Sequence, residues 1–229
     1  MRVSTIWCVA GASVLAATPL AGQLVDDGSF EVPAASVGGY RAFNVGETFE
    51  GWAVVGASGN VALVSGGSTF GAIALPAQYG AQWLDLTGAG SNAANGVEQQ
   101  IATVPGRVYQ LSFWVGNVVD PSGTLGNTST VDVFVDGVAL APATNTGGAG
   151  TNSLTWQRFT RSFTAARAST TLTFRNGDAP SDNSNGIDNV ALTAATTTVP
   201  EPGPAALVAA GLGGVLVAAR RGPRSEPRR

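Results

Sequence analysis

The chain has 229 residues, of which 12 are arginine, none is lysine, 15 are acidic, none is histidine and one is cysteine. This length allows one domain or at most two. The absence of histidine excludes a Ser-His-Asp triad, a Cys-His pair and every metal site with histidine ligands. With 12% charged residues, a net charge of −3 and 31 glycines, the composition predicts short strands joined by tight turns.

The N-terminal segment has the regions of a secretory signal peptide. Arg2 supplies a positive charge, residues 6–17 form an apolar run that contains the single cysteine, and Pro19 is followed by small residues suited to cleavage. The alternative is an uncleaved N-terminal membrane anchor, although the run is short for a span. We therefore predict a signal peptide over residues 1–22, export through the inner membrane, and a mature chain without a thiol.

The C-terminal segment, residues 199–229, combines a proline motif, an apolar run and a basic tail. The motif is extended, because proline disfavours helix at its own position and at the preceding one. The uncharged run at 204–219 suffices for a thin or transient transmembrane helix, and arginines after it would hold the tail in the cytoplasm. The alternative is an ordinary C-terminal anchor that stays in place. The motif consists of Val199, Pro200, Glu201 and Pro202, and the membrane-flanking basic residues are Arg220 and Arg221.

This order of motif, apolar run and arginine cluster resembles the PEP-CTERM sorting signal of Gram-negative bacteria. Pro200, Glu201 and Pro202 match the motif residue by residue. The resemblance implies that exosortase, a membrane protease-transpeptidase, recognises the tail, and that the protein is tied to exopolysaccharide and biofilm matrix. We therefore expect an extracellular or envelope-associated protein with exosortase as a partner and a transient contact with the membrane through 204–219.

Residues 23–198 form the mature body, which we predict to be an all-β, two-sheet jelly-roll sandwich. Its thirteen acidic residues against six arginines disfavour nucleic acid and favour neutral or cationic partners. Apolar and polar side chains alternate with period 2, and no long stretch has helical periodicity. About ten short strands with glycine-rich breaks are typical of a sandwich. The expected strands include 51–55, 60–64, 82–86, 97–103, 107–115, 130–135, 156–163, 170–175 and 186–193, with a turn at Asp136-Gly137.

Several segments of the body resemble the galactose-binding-like jelly roll. The match spans residues 25–193 and is similar to choice-of-anchor, cell-wall-associated domains of unknown function and, more distantly, to xylan- and glucan-binding carbohydrate-binding modules. It implies the fold and adjacent first and last strands, whereas a fold alone does not identify a ligand. The segments are DGSFE at 27–31, GW at 51–52, QWLDL at 82–86, QQI at 99–101, PGRVYQLSF at 105–113 and GIDNVAL at 186–192.

The same resemblance implies a structural Ca²⁺ site at Glu31 and Asp188. In the resembled modules the first and last strands are neighbours, and acids at these positions help to hold the ion. Oxygen ligands suit Ca²⁺, and backbone carbonyls would complete a shell of about six to eight. The alternative is that both acids only cap turns. Residues 181–186 look like a calcium loop but lack the bidentate glutamate, since Leu192 occupies its position, so we predict a solvated loop there.

Candidate sugar-binding residues are sought among the large aromatic rings, because the apolar face of a pyranose stacks on an exposed ring. Trp83 and Trp114 lie in alternating strands, and we expect them in the core. Tyr40 and Tyr79 lie in Gly/Ala-rich loops, so they are the candidates for carbohydrate binding. The alternative is that these two rings are also core residues.

Catalysis is not expected. Asp120, Asp132 and Asp136 offer carboxylates for glycoside hydrolysis, which needs two acids about 5–10 Å apart across a bond. Asp132 and Asp136 lie at even spacing on one strand, and Asp136 is required by its turn. No acid lies in an apolar sequence context that would raise its pKa. We therefore predict a non-catalytic module that binds extracellular polysaccharide or cell-surface glycan. The alternatives are a purely structural surface protein without a small ligand and a glycan-active enzyme.

Overall fold

The computed structural model describes residues 22–90 and 95–195, and every regular element within these ranges is a β-strand. This confirms the predicted all-β class. The strands are β1 Tyr40–Asn44, β2 Thr48–Phe49, β3 Trp52–Val55, β4 Asn60–Ser65, β5 Thr69–Phe70, β6 Ile73–Ala74, β7 Gln82–Asp85, β8 Gly96–Ala102, β9 Val108–Asn117, β10 Ser129–Val135, β11 Val138–Ala139, β12 Ala143–Asn145, β13 Thr155–Thr164, β14 Ser169–Asn176 and β15 Gly186–Ala194.

Two large antiparallel sheets form the predicted jelly-roll sandwich. One sheet has six strands in the order β1-β4-β7-β15-β9-β13. The other has seven, of which six follow the order β11-β10-β14-β8-β3-β2 and the seventh, β12, lies off this path. In addition, β12 pairs with β10, and β5 and β6 form a separate two-stranded sheet. The body is therefore two layers around one core, as the alternation of its strands predicts.

The core lies between the two sheets and is built by side chains at every second strand position. On β9, Tyr109, Leu111, Phe113 and Val115 are buried, as the period-2 pattern predicts. Phe113 meets Phe174 of β14 edge to face, with ring centroids 5.3 Å apart. Burial of each such side chain contributes roughly 1.5–3 kcal/mol, and this packing holds the sheets together in a body without a thiol.

The N-terminal segment of the body lies against β15. The backbone N–H of Leu24 donates to the Leu192 carbonyl at 3.0 Å, and the Val190 N–H donates to the Gly28 carbonyl at 2.7 Å. A Cβ atom at position 28 would lie 2.0 Å from the Val190 carbonyl oxygen, so only glycine permits this approach. The two ends of the domain are neighbours, as predicted, although the first segment forms turns and not a strand.

All nine predicted strands are present, and the described residues contain six further strands that were not predicted. Five of the six have two or three residues, which is too short to show an alternating pattern. The sixth, β1, buries only Phe43. Tyr40 therefore begins an edge strand, and its placement in a loop was wrong.

The predicted terminal signals lie almost wholly outside the described residues. Of the signal peptide at 1–22 only the last residue is described, and the sorting signal at 199–229 is not described. In the part that is described, no helix is long and apolar enough to cross a membrane. The transmembrane helix at 204–219 stays a prediction.

Candidate functional site: a cleft on the outer face of the six-stranded sheet

A cleft of about 460 Å³ lies on the outer face of the six-stranded sheet. Its floor comes from β4 and β7, where Ala62 is opposite Asp85 and Val64 is opposite Trp83. The intervening Leu63 is buried in the main core, and successive side chains of a strand point to opposite faces. The floor therefore faces away from the core, and the small side chain of Ala62 leaves room above the sheet.

The walls of the cleft come from loops and short strands that stand above this face. Tyr40 of β1 and Phe70 of β5 contribute rings that are 58% and 42% exposed. Further lining residues combine small, polar and aliphatic side chains, and they include Ser68, Leu75, Gly88, Thr124, Leu125, Asn183 and Ser184. The cleft thus offers exposed aromatic surface next to polar groups.

Two tryptophans hold one wall of the cleft in place. Trp83 and Trp156 meet edge to face with centroids 5.9 Å apart. Their indole N–H groups donate to the carbonyls of Leu75 and Pro76 at 3.1 and 2.9 Å. Trp83 is 3% exposed, as expected for a core residue, although it belongs to a second apolar cluster outside the main core. The bonds from these rings fix the segment that supplies Leu75 to the cleft.

Glycines make room for these two rings on the sheet. A Cβ atom at Gly116 would lie 2.8 Å from the ring of Trp156, and one at Gly186 would lie 3.1 Å from the ring of Trp83. The first distance is shorter than real Cβ atoms show, and the second is tighter than most real Cβ contacts, so a side chain at either position would force the neighbouring ring to shift. Trp114, also on β9, was predicted to be in the core but is only partly buried.

Asp85 supplies a carboxylate at the floor of the cleft. Its Oδ1 accepts hydrogen bonds from the backbone N–H and the hydroxyl of Thr87 at 2.9 and 2.6 Å. Burial raises the pKa of Asp85 to about 6, although the bonds from Thr87 act in the opposite direction. The expectation that no acid would have a raised pKa was wrong, because loops distant in sequence remove water from this strand residue.

Asp120 and Asp136, considered above as catalytic acids, each accept hydrogen bonds from backbone N–H groups of the protein. Asp120 accepts the backbone N–H of Leu125 at 2.7 Å and the hydroxyl of Ser122, and the Ser122 hydroxyl is the main reason that its pKa is lowered. Asp136 lies in the β10–β11 turn with φ of 50°, and its Oδ1 accepts the N–H of Thr171 at 2.8 Å. Asp120 thereby shapes the wall that Leu125 contributes.

Glu31 and Asp188, the predicted calcium ligands, bind backbone N–H groups of one segment, residues 78–82. Asp188 accepts the N–H groups of Gln78 and Tyr79 at 2.9 Å each, and Glu31 accepts that of Ala81 at 3.0 Å. Burial, with a smaller contribution from Glu31, raises the pKa of Asp188 to about 7. Both carboxylates therefore act as caps, which is the alternative role named for them.

A cation at this pair stays a prediction. Residues 22–90 and 95–195 contain no group of three or more His, Cys, Asp or Glu side chains placed to hold a metal ion. A shell at Glu31 and Asp188 would therefore need carbonyl oxygens as additional ligands, as Ca²⁺ sites commonly have.

The two tyrosines predicted to bind sugar lie in different places. Tyr40 lines the cleft, whereas Tyr79 is 61% exposed and is not among the lining residues. The sequence reasoning missed Phe70 and Asp85. The available signal for Asp85 was its position two residues after Trp83 on one strand, which places both side chains on the same face.

The fold is similar to several solved structures. A cyclase from Fischerella sp. TAU has a TM-score of 0.52 and 20% identity, over 77% of this chain and 98% of that chain. The CBM22-1 xylan-binding domain of Xyn10C from Paenibacillus barcinonensis has a TM-score of 0.41 and 16% identity, over 72% and 100%. A family 35 carbohydrate binding module from Clostridium thermocellum has a TM-score of 0.40 and 11% identity, over 67% and 96%. At such identities these likenesses concern the fold alone.

Comparison by sequence identifies the family. No curated protein matches the chain. The family model described as a protein of unknown function, DUF642, matches residues 23–193. This match runs from the N-terminal segment beside β15 to β15 itself, so it covers the whole sandwich. The chain therefore belongs to the DUF642 family.

Proposed function

We propose that the protein is an exported, non-catalytic module that binds extracellular polysaccharide in the cleft of the six-stranded sheet. The observation that carries this proposal is the cleft itself, in which the exposed rings of Tyr40 and Phe70 lie beside the carboxylate of Asp85. Its volume of about 460 Å³ is within the range of about 300–1,000 Å³ of small-molecule sites.

The lining groups suit the two kinds of surface that a sugar presents. The apolar face of a pyranose packs on an aromatic ring, and a carboxylate accepts hydrogen bonds from hydroxyls. Ser184 also lines the cleft, and its buried Oγ atom has no hydrogen-bond partner among the described residues. Buried polar groups normally have such a partner, and a ligand hydroxyl in the cleft would provide one.

The same lining set favours binding over hydrolysis. Glycoside hydrolysis requires two carboxylates on opposite sides of the bond, and among the described residues that line the cleft Asp85 is the only acid. A glycan-active enzyme would need a second acid from elsewhere. A purely structural role would leave the exposed rings and the buried Ser184 hydroxyl without a function.

Export and sorting are part of the proposal and are supported by the sequence patterns at the two ends. The signal peptide at 1–22 would direct export, and exosortase would recognise the motif at 199–202 and act on the tail. Mass spectrometry of the protein recovered from culture medium tests this directly. We expect a chain that begins near Gln23 and ends at or before the proline motif, and intact Arg220 and Arg221 in the released protein would contradict processing.

Glycan binding is tested with the full chain on a panel of soluble xylan, dextran, β-1,3-glucan, galactan and alginate by affinity electrophoresis. Tyr40→Ala and Phe70→Ala should each weaken binding about tenfold, which corresponds to ~1.4 kcal/mol. Tyr79→Ala is the matched control, since this ring is equally exposed but lies outside the cleft.

The control also separates two predictions. Unchanged binding by Tyr79→Ala supports the cleft, whereas a loss equal to that of Tyr40→Ala would favour a site that includes both tyrosines. The proposal is wrong if the folded wild-type protein binds no member of the panel. It is also wrong if neither cleft substitution changes the affinity.

A further inference from the structure

A second concavity, of about 510 Å³, lies on the seven-stranded sheet. A row across this sheet places Phe134 of β10 beside Thr173 of β14, and Thr173 beside Glu98 of β8. Asp136, Arg167 and Arg175 also line this groove, which we call the charged groove.

The charged groove and the cleft open on opposite sides of the sandwich. On each strand of the row the neighbouring residues, Val133, Phe174 and Val97, are buried in the core between the sheets. Since successive side chains alternate between faces, Phe134, Thr173 and Glu98 point away from that core. The cleft faces away from the same core on the six-stranded sheet, so the two sites are separated by the full thickness of the domain.

The charged groove contains one buried hydrogen-bond donor without a partner among the described residues. The Nε atom of Arg175 is buried and has no hydrogen-bond partner within the described residues. Its guanidinium carbon lies 6.0 Å from the centre of the Phe134 ring. A buried donor without a hydrogen-bond partner destabilises the folded protein. An oxygen atom of a ligand would satisfy this donor.

The balance of charges indicates the class of ligand. Two arginines and two acids line the charged groove, so donors and acceptors lie side by side without net charge. Sugar hydroxyls both donate and accept, and the Phe134 ring offers an apolar surface for a sugar face. For a phosphate or a uronate chain, attraction to the two arginines would be offset by repulsion from Glu98 and Asp136, so the groove does not favour an anion and suits a neutral polyhydroxyl ligand.

We propose that the charged groove is a second glycan site and that one domain thereby cross-links two neutral polysaccharide chains. This inference rests on the proposed function of the cleft, because cross-linking needs both sites. Two sites on opposite faces bind two different polysaccharide chains more readily than they bind the same chain twice. Many weak bivalent links of this kind make a stable network. The protein would then cross-link the polysaccharides of a matrix and not only attach to them.

The first test is stoichiometry with hexasaccharides prepared from the panel polysaccharides, measured by calorimetry on the full chain. The wild-type protein should bind two per monomer. Arg175→Met and Glu98→Gln should each reduce the number to one while leaving the cleft occupied, and Tyr40→Ala with Phe70→Ala should leave only the groove. Arg158→Met is the matched control, since this exposed arginine lies on the other sheet and lines neither site.

The second test is turbidity with the long polymers, with the monomeric state checked by sedimentation. Turbidity should peak at an intermediate ratio of protein to polymer and fall at least tenfold in the Arg175→Met and Glu98→Gln variants. Glu98→Gln is nearly isosteric, so it answers the question if Arg175→Met does not fold.

The outcomes distinguish the two proposals. One hexasaccharide per wild-type monomer, lost on cleft substitution, would overturn the inference and leave the cleft in place. Binding lost only on groove substitution would overturn the cleft and with it cross-linking. Stronger binding of alginate than of the neutral members by the groove would overturn the assignment to neutral glycan.

Discussion

The outer faces of the two sheets are built differently. Above the six-stranded sheet, loops cover a second apolar cluster that includes Trp83, Leu125 and Leu154, and the cleft lies between these loops. The outer face of the seven-stranded sheet instead carries threonines, charged residues and Phe134 around an open groove. The burial patterns of the strands show this difference. β10 alternates strictly between buried and partly exposed residues, whereas four consecutive residues of β4 are buried. A strand of an antiparallel sheet that loses its alternation is covered on both faces, and here the covering loops form the cleft.

The largest effect is expected from a substitution that fills the space a glycine leaves beneath the two tryptophan rings. Gly116→Ala would place a Cβ atom 2.8 Å from the Trp156 ring, so the ring must move and release its bond to Pro76. We expect a loss of about 2–3 kcal/mol in the free energy of unfolding, measured by urea titration, with a shift in tryptophan fluorescence. Gly67→Ala is the control, because its nearest neighbour atom is 3.8 Å away. Equal stability of both variants would contradict the account of the covered face.

A Ca²⁺ ion at Glu31 and Asp188 would act on the segment 78–82, which directly follows the loops that cover the six-stranded sheet. If Glu31 and Asp188 hold Ca²⁺, the ion at about 100 times its dissociation constant should add ~2.7 kcal/mol of stability. Thermal unfolding of the full chain with Ca²⁺ and with EDTA measures this effect. Asp188→Asn should abolish the difference, and Asp136→Asn, on the opposite sheet, should preserve it. Identical melting curves with and without the ion would leave both carboxylates as caps.

A smaller effect is expected from pH, through Asp85 at the floor of the cleft. Its folded-state pKa of about 6 exceeds the value of about 4 expected in the unfolded chain, so the native state holds the proton more tightly. The resulting stability is complete below about pH 4 and is lost as the pH rises through about 6. Since the side chain is partly exposed, we expect about 1–2 kcal/mol.

This pH effect is isolated by comparing the wild-type protein with Asp85→Asn in urea titrations at pH 4.5 and 7.5. The wild-type protein should lose more stability than the variant between these values. Asp132→Asn, on the outer face of the other sheet, should behave like the wild-type protein. If all three proteins lost the same free energy of unfolding between these pH values, Asp85 would be exposed to water in the folded protein and the account of the cleft floor would be wrong.

Much of the fold could be predicted because its long strands carry their own pattern. On β9 and β10 every second side chain is buried, and this period is visible in the sequence. The short strands could not be predicted, since two residues cannot show a period. The cleft was also hidden, because Tyr40, Phe70, Asp85 and Ser184 come from distant segments that only the tertiary fold brings together. The raised pKa of Asp85 has the same origin.

If the proposed C-terminal tether holds the protein, the position of β15 has a mechanical consequence. β15 lies between β7 and β9 within the six-stranded sheet, and the N-terminal segment bonds to it as well. A force along β15 acts on all of its backbone hydrogen bonds at the same time. A polysaccharide in the cleft would pull on β7, the strand beside β15. Tension between a bound polysaccharide and such a tether would therefore load the β7–β15 pair near the centre of the sheet.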